Sequence, residues 1–86
     1  MRRRLRSVAM ANTKKEREVA RHRRELGKRL ASARAAADLS LSEFARRVGV
    51  KPPTACGWES GRYSPTIDRV PRIAEVLGVG VSDLFA

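Results

Sequence analysis

Eighty-six residues with a formal net charge of +10 make one small domain with little core to spare. Cys56 and His22 are each the only residue of their type, which excludes an intrachain disulfide, a zinc cluster and an ordinary Cys-His catalytic pair. No metal, no cofactor and no enzymatic activity is therefore expected, and no apolar run approaches the roughly 20 residues that span a bilayer.

The charge is uneven. Met1 to Arg24 carries ten Lys or Arg against Glu16 and Glu18, net +8, whereas Glu25 to Ala86 nets only +2. This divides the chain into a basic arm, residues 1–24, and a near-neutral globular part, residues 25–86. The first dozen residues lack periodicity and are expected to be disordered, with partly helical chain after them. Arg2, Arg3, Arg4, Arg6, Lys14 and Lys15 are the arm's candidate contacts to a polyanion, either nucleic acid or an anionic membrane surface. The opening MRRRLRSVAMA has the charged start of a secretory signal but only Ser7 and Val8 where an apolar core should be, so export is not expected. Met10 is an equally good start, which would leave the first nine residues outside the working protein.

Val19, Leu26, Leu30, Ala33 and Ala37 recur at spacings of 7, 4, 3 and 4, a helical stripe secure from Leu26 onward. A first helix is expected over 26–36, extending back as a solvated basic helix to about residue 14. Asp38 and Leu39 form a turn. Leu41, Phe44, Ala45 and Val48 then fall at i, i+3, i+4 and i+7, the apolar face of a second, short helix. Ser40 is its expected N-cap with Glu43 as capping-box partner, and Gly49 its C-terminal stop behind Arg46 and Arg47. A third helix starts at Pro52, where a missing N–H costs little, and runs to about Trp58. Two helices joined by so tight a turn hold the second one out toward DNA.

Ser60 to Pro65 is a polar loop. A fourth helix follows with Ile67, Val70, Ile73, Ala74 and Leu77 inward, Asp68 as N-cap so that Pro71 sits at N3, and Gly78 as its stop. Ser82 is the expected cap of a last turn carrying Leu84 and Phe85, which either finish the core or pack on a second copy. With no strand pattern or internal repeat, the fold class is all-α with five helices. Cys56 and His22 are expected to be inert, and Ala55 and Trp58 to face the core.

From Leu26 to Phe85 the chain resembles the phage-repressor and Cro-like (XRE) helix-turn-helix domains, of lambda-repressor-like fold. LGKRLASAR, LSLSEFARRVGV, WESGR, SP and RIAEVLGV occur in the family's order and at its spacing. The resemblance implies that the third helix enters the major groove with Lys51, Pro52, Pro53, Thr54 and Gly57 nearest the bases. Two prolines and a glycine depart from the Gln, Ser, Arg or Asn usual there, because they offer no side-chain hydrogen bond to a base edge. Ser42, Arg46, Arg47, Arg62, Tyr63 and Ser64 are the implied phosphate contacts, helped by free N–H groups at the starts of helices 2, 3 and 4. Arg34 and Glu59 occupy positions that the family commonly joins in a structural ion pair.

The expected function is that of a DNA-binding transcriptional regulator, a repressor acting as a homodimer on double-stranded DNA, located in the cytoplasm on the nucleoid. One alternative is an antitoxin-type regulator that binds a small protein as well as its operator. The other is a protein-interaction or membrane-surface module whose prolines mark a degenerate DNA face.

Overall fold

In a computed structural model, which describes residues 2–85 and the side chains of residues 13–85, the chain forms four α-helices and two 3-10 turns. The helices are α1 (Arg2–Ala36), α2 (Leu41–Val48), α3 (Pro52–Ser60) and α4 (Val70–Leu77). α1 runs unbroken from Arg2, through residues expected to be disordered and well before the expected start near residue 14; the expectations for Arg2, Arg3, Arg4 and Arg6 lie outside the described side chains. The fifth expected helix is instead the 3-10 turn Val81–Leu84.

α1 meets the rest of the domain through Leu30, fully buried, and through the close approach of its backbone to α3 at Gly27. A Cβ on Gly27 would stand 2.5 Å from the Glu59 carbonyl oxygen and 2.6 Å from that of Trp58, so only a glycine lets the helices touch there. Upstream the stripe ends, and Val19 is exposed. A single core unites Leu30 with Phe44, Ala45 and Val48 of α2, Ala55 and Trp58 of α3, Val70, Ile73, Ala74 and Leu77 of α4, and Leu84. Trp58 meets Phe44 edge to face, with ring centroids 6.4 Å apart, which locks α3 against α2.

Three sequence expectations are corrected by local geometry. Ile67–Arg69 is a 3-10 turn, so Asp68 is not the cap of α4; Arg69 holds that position, Pro71 falls in the first turn, and Ile67 is 80% exposed rather than inward. The last turn is closed by Asp83, whose carboxylate accepts the Gly80 N–H at 2.8 Å, and not by Ser82. The capping box of α2 is half made: Ser40 accepts the Glu43 N–H at 3.1 Å, but the Glu43 carboxylate turns away to Arg46 and Arg47.

Candidate nucleic-acid interface

α2 and α3 are joined by Gly49, Val50 and Lys51. Gly49 adopts φ 92°, a left-handed conformation in which its N–H closes on the Ala45 and Arg46 carbonyls, and it turns the chain sharply into α3. Because Ala55 and Trp58 are the residues of α3 that pack inward, Lys51, Pro52, Pro53 and Cys56 are left exposed on the opposite side, with Thr54 half-buried between. The edge expected to face the bases is therefore a free surface at Lys51, Pro52 and Pro53.

Gly57 is a correction. It is buried, and an added Cβ would fall within the ring of Tyr63. The Gly57 carbonyl accepts the Arg62 N–H at 3.0 Å and the Ser60 hydroxyl at 3.2 Å, which curls the loop back over the helix. Gly61, at φ 78°, makes that reversal possible and leaves room for Arg24 of α1, whose Cα would be 2.8 Å from any Cβ there. Arg23 reaches from α1 to donate to the Arg62 carbonyl at 3.2 Å. The loop thus carries Tyr63 onto α3, where its hydroxyl donates to the Pro53 carbonyl at 3.2 Å. In that bond the hydroxyl proton is directed at the helix.

The start of α3 also differs from expectation. Its first two residues are prolines without N–H groups, and the Thr54 and Ala55 N–H groups both donate to the Lys51 carbonyl, at 3.0 and 3.3 Å. No free amide is left there to receive a phosphate. At α4 the same is true of Pro71, which has no N–H, and of Val70, whose N–H donates to the Ile67 carbonyl. Of α2, α3 and α4, it is α2 that begins with ordinary first-turn amides, beside the exposed Ser42.

Arg46 and Arg47 are exposed but share one anchor: both donate to Glu43 Oε1, at 2.6 and 3.1 Å. These bonds, Arg46 foremost, hold the Glu43 carboxyl below the usual carboxylate range. Arg72 of α4 pairs with Glu75 and donates to the Arg47 carbonyl at 3.1 Å, tying α4 to the end of α2. Arg62 and Ser64 are exposed in the loop, and Lys14 and Lys15 along α1. Asp68 is held low by hydrogen bonds from the Thr66 side chain and its own backbone.

Behind the interface, Arg34 and Glu59 are brought together. Arg34 Nε donates to Glu59 Oε2 at 2.7 Å and Nη2 to Oε1 at 3.1 Å, while Nη1 donates to the Leu39 carbonyl at 2.8 Å. One guanidinium therefore fixes α1, the end of α3 and the turn into α2. The Glu59 bond raises the Arg34 pKa against the opposing effect of burial.

This frame matches a helix-turn-helix family model, HTH_3, over residues 30–84. The chain belongs to the helix-turn-helix family. An uncharacterized HTH-type transcriptional regulator of Methanothermobacter thermautotrophicus is 38% identical over 68 residues, 78% of this chain and 83% of that protein. One from Archaeoglobus fulgidus is 33% identical over 57 residues, covering 66% and 80%. Among solved structures, the clp gene regulator ClgR of Corynebacterium glutamicum aligns with a TM-score of 0.69 at 30% identity, over 73% of this chain and 82% of that one. The restriction-modification controller C.AhdI of Aeromonas hydrophila aligns at 0.73 over 77% and 96%, and at 24% identity that match shows shared fold only. This helix-turn-helix protein is a DNA-binding transcriptional regulator, of a non-enzymatic class that binds double-stranded DNA. Among the described residues no helix is long and apolar enough to cross a membrane.

Proposed function

We propose that this helix-turn-helix protein is a repressor that binds a two-fold operator as a homodimer in the cytoplasm, on the nucleoid. α3 enters the major groove with Lys51, Pro52, Pro53 and Thr54 leading, and occupancy of the site excludes polymerase. The observation that carries this reading is the exposed start of α3 at Lys51, Pro52 and Pro53, into which the left-handed turn at Gly49 leads. Arg62, Ser64 and Ser42 take phosphates, and Arg46 and Arg47 add attraction at longer range. Residues 1–24, which fall in the N-terminal part of α1 from Arg2 onward, add positive charge that attracts the phosphate backbone.

The exposed apolar residues Ile67, Val81 and Phe85 support a second copy of the chain as partner. Two copies would read half-sites about 34–36 Å apart, one turn of duplex. A small protein partner is the competing occupant of the same patch; sedimentation of the pure chain as a monomer, with a second protein co-purifying, would favour it. A gel-shift series tests the DNA reading. Lys51→Ala with Arg62→Ala should weaken duplex binding, and unaltered affinity would remove α3 and its loop from the interface.

A further inference from the structure

We propose that Tyr63, carried by the loop after α3, reads a base in the major groove, and that the base it takes bears an amino donor, adenine or cytosine. The inference rests on α3 entering the groove and names what that helix uses there. Its own leading side chains contribute little: Pro52 and Pro53 have no polar atom, Thr54 is half-buried, and Gly57 has no side chain. Lys51 can only donate.

Tyr63 fills the gap. Its ring lies where any side chain at position 57 would stand, 2.6 Å from Cε1 to the ideal Cβ, so the glycine is the condition for the ring to lie along the helix. Arg62 and Tyr63 N–H groups both donate to the Gly57 carbonyl, at 3.0 and 3.4 Å, which fixes the loop under the ring. The phenol donates to the Pro53 carbonyl, which points along the helix toward residue 57, at 3.2 Å. Its oxygen stands 2.5 Å from where a Cβ on Gly57 would be, and so takes the place of a side chain at a position that the resemblance sets nearest the bases. Tyr63 remains 40% exposed in that position.

The chemistry of the contact follows from the proton count. A phenol has one proton, and here Pro53 has it; what the oxygen can still offer is a lone pair. Phosphate oxygens only accept, as do guanine N7 and O6 and thymine O4, and none of them can bond to an oxygen in that state. The N6 amino group of adenine and the N4 amino group of cytosine are the major-groove donors. Tyr63 so placed selects between base pairs and leaves the phosphates to Arg62 and Ser64.

The test is selection of bound sites from randomised duplexes with the full-length wild type, Tyr63→Phe and Gly57→Ala, each also titrated against salt. The wild type should restrict one position in each half-site to base pairs that put the amino-bearing base, adenine or cytosine, on one and the same strand. Tyr63→Phe keeps the ring on Gly57 and removes only the oxygen; it should lose that restriction, weaken binding to the wild-type site about five- to tenfold, the worth of one hydrogen bond, and leave the salt slope unchanged. Gly57→Ala, which pushes the ring off the helix, should lose the same position although its methyl group bonds to nothing. A Tyr63→Phe protein that selects the wild-type sites overturns the assignment, as does one whose binding falls uniformly on all sequences with a shallower salt slope, the mark of a phosphate ligand. A wild type with no sequence preference overturns the groove-entry reading itself, and the Tyr63 assignment with it.

Discussion

Arg34→Ala should cost this domain a large fraction of its stability. The change removes two bonds to Glu59, at 2.7 and 3.1 Å, and one to the Leu39 carbonyl at 2.8 Å. It also leaves the Glu59 carboxylate, whose side chain is only 12% exposed, without its counter-ion. Breaking a fully buried pair costs about 3–5 kcal/mol. The Arg34 side chain is 23% exposed, so water recovers part of that, and about 2–3 kcal/mol is the expected loss. For a domain of this size the midpoint of thermal unfolding should fall by about 10–20 °C, followed by far-ultraviolet circular dichroism of the full chain. Arg34→Lys keeps the charge but not the fork, and should fall between. A double-mutant cycle isolates the pair: Arg34→Met and Glu59→Leu together should cost less than the sum of the single changes, because no charge is then left buried alone. The raised Arg34 pKa means that the guanidinium's contribution is complete below its ordinary value and is lost only as pH climbs through the higher folded one. Neutral-range pH should leave the effect of the substitution unchanged. An unmoved midpoint for Arg34→Ala, or additive single effects in the cycle, would refute the reasoning.

Gly27→Ala sets two effects against each other. Helix propensity favours alanine by about 1 kcal/mol, yet the new methyl group meets two backbone carbonyls of α3 that cannot rotate away, an overpacking cost of about 1–3 kcal/mol, so the midpoint should drop; a rise would show that α1 and α3 are not in such close contact. Glu43 has a depressed folded pKa, so its contribution is present above the unfolded value and disappears as pH falls through the folded one, below the ordinary carboxylate range. Wild type should lose stability across that acid window more steeply than Glu43→Gln, and superimposable melting-point profiles would contradict the depressed pKa. Removing residues 1–12 takes away Arg2, Arg3, Arg4 and Arg6 and should lower the salt slope of duplex binding by about one for each phosphate that these residues neutralise; an unchanged slope would mean the arm touches no DNA.

The features legible in the sequence are local or fixed by spacing. Ser40 caps α2 and Gly49 ends it because capping depends on the residue and its immediate neighbours. Arg34 and Glu59 meet where family spacing implies. The features that differ from expectation all need a partner from elsewhere in the chain or a choice between near-equal local options. Asp83 outcompetes Ser82 for the last turn through a bond to a residue three positions earlier, and the 3-10 turn at Ile67 relieves the conflict between Asp68 as a cap and Pro71 within the helix. Gly57 reads as an open position because nothing in a one-dimensional pattern says that Tyr63 folds back onto it. A signal is present: Gly61 permits a left-handed reversal, and an aromatic residue two positions beyond it has a bare backbone within reach.

The two prolines of α3 bear on how affinity and selectivity are divided. They preset φ at the start of the helix and so reduce what the chain loses in entropy on folding, but they remove the N–H groups that would otherwise hold a phosphate. Thr54 and Ala55 direct theirs to Lys51. A recognition helix so closed to anions cannot draw much affinity from its own backbone, and the near-neutral charge of residues 25–86 offers little more. On the proposed reading the long-range attraction comes chiefly from the basic N-terminal part of α1, which raises affinity for every duplex alike. On that reading, selectivity is left to Lys51, just before α3, as donor and to the oxygen of Tyr63, carried by the loop after α3, as acceptor. Such a division makes the two properties separable: loss of arm charge should flatten the salt dependence without changing the preferred sites, while loss of the Tyr63 hydroxyl should change the sites without flattening the salt dependence. If both changes moved both quantities together, arm and loop would be acting as one surface, and the division would be wrong.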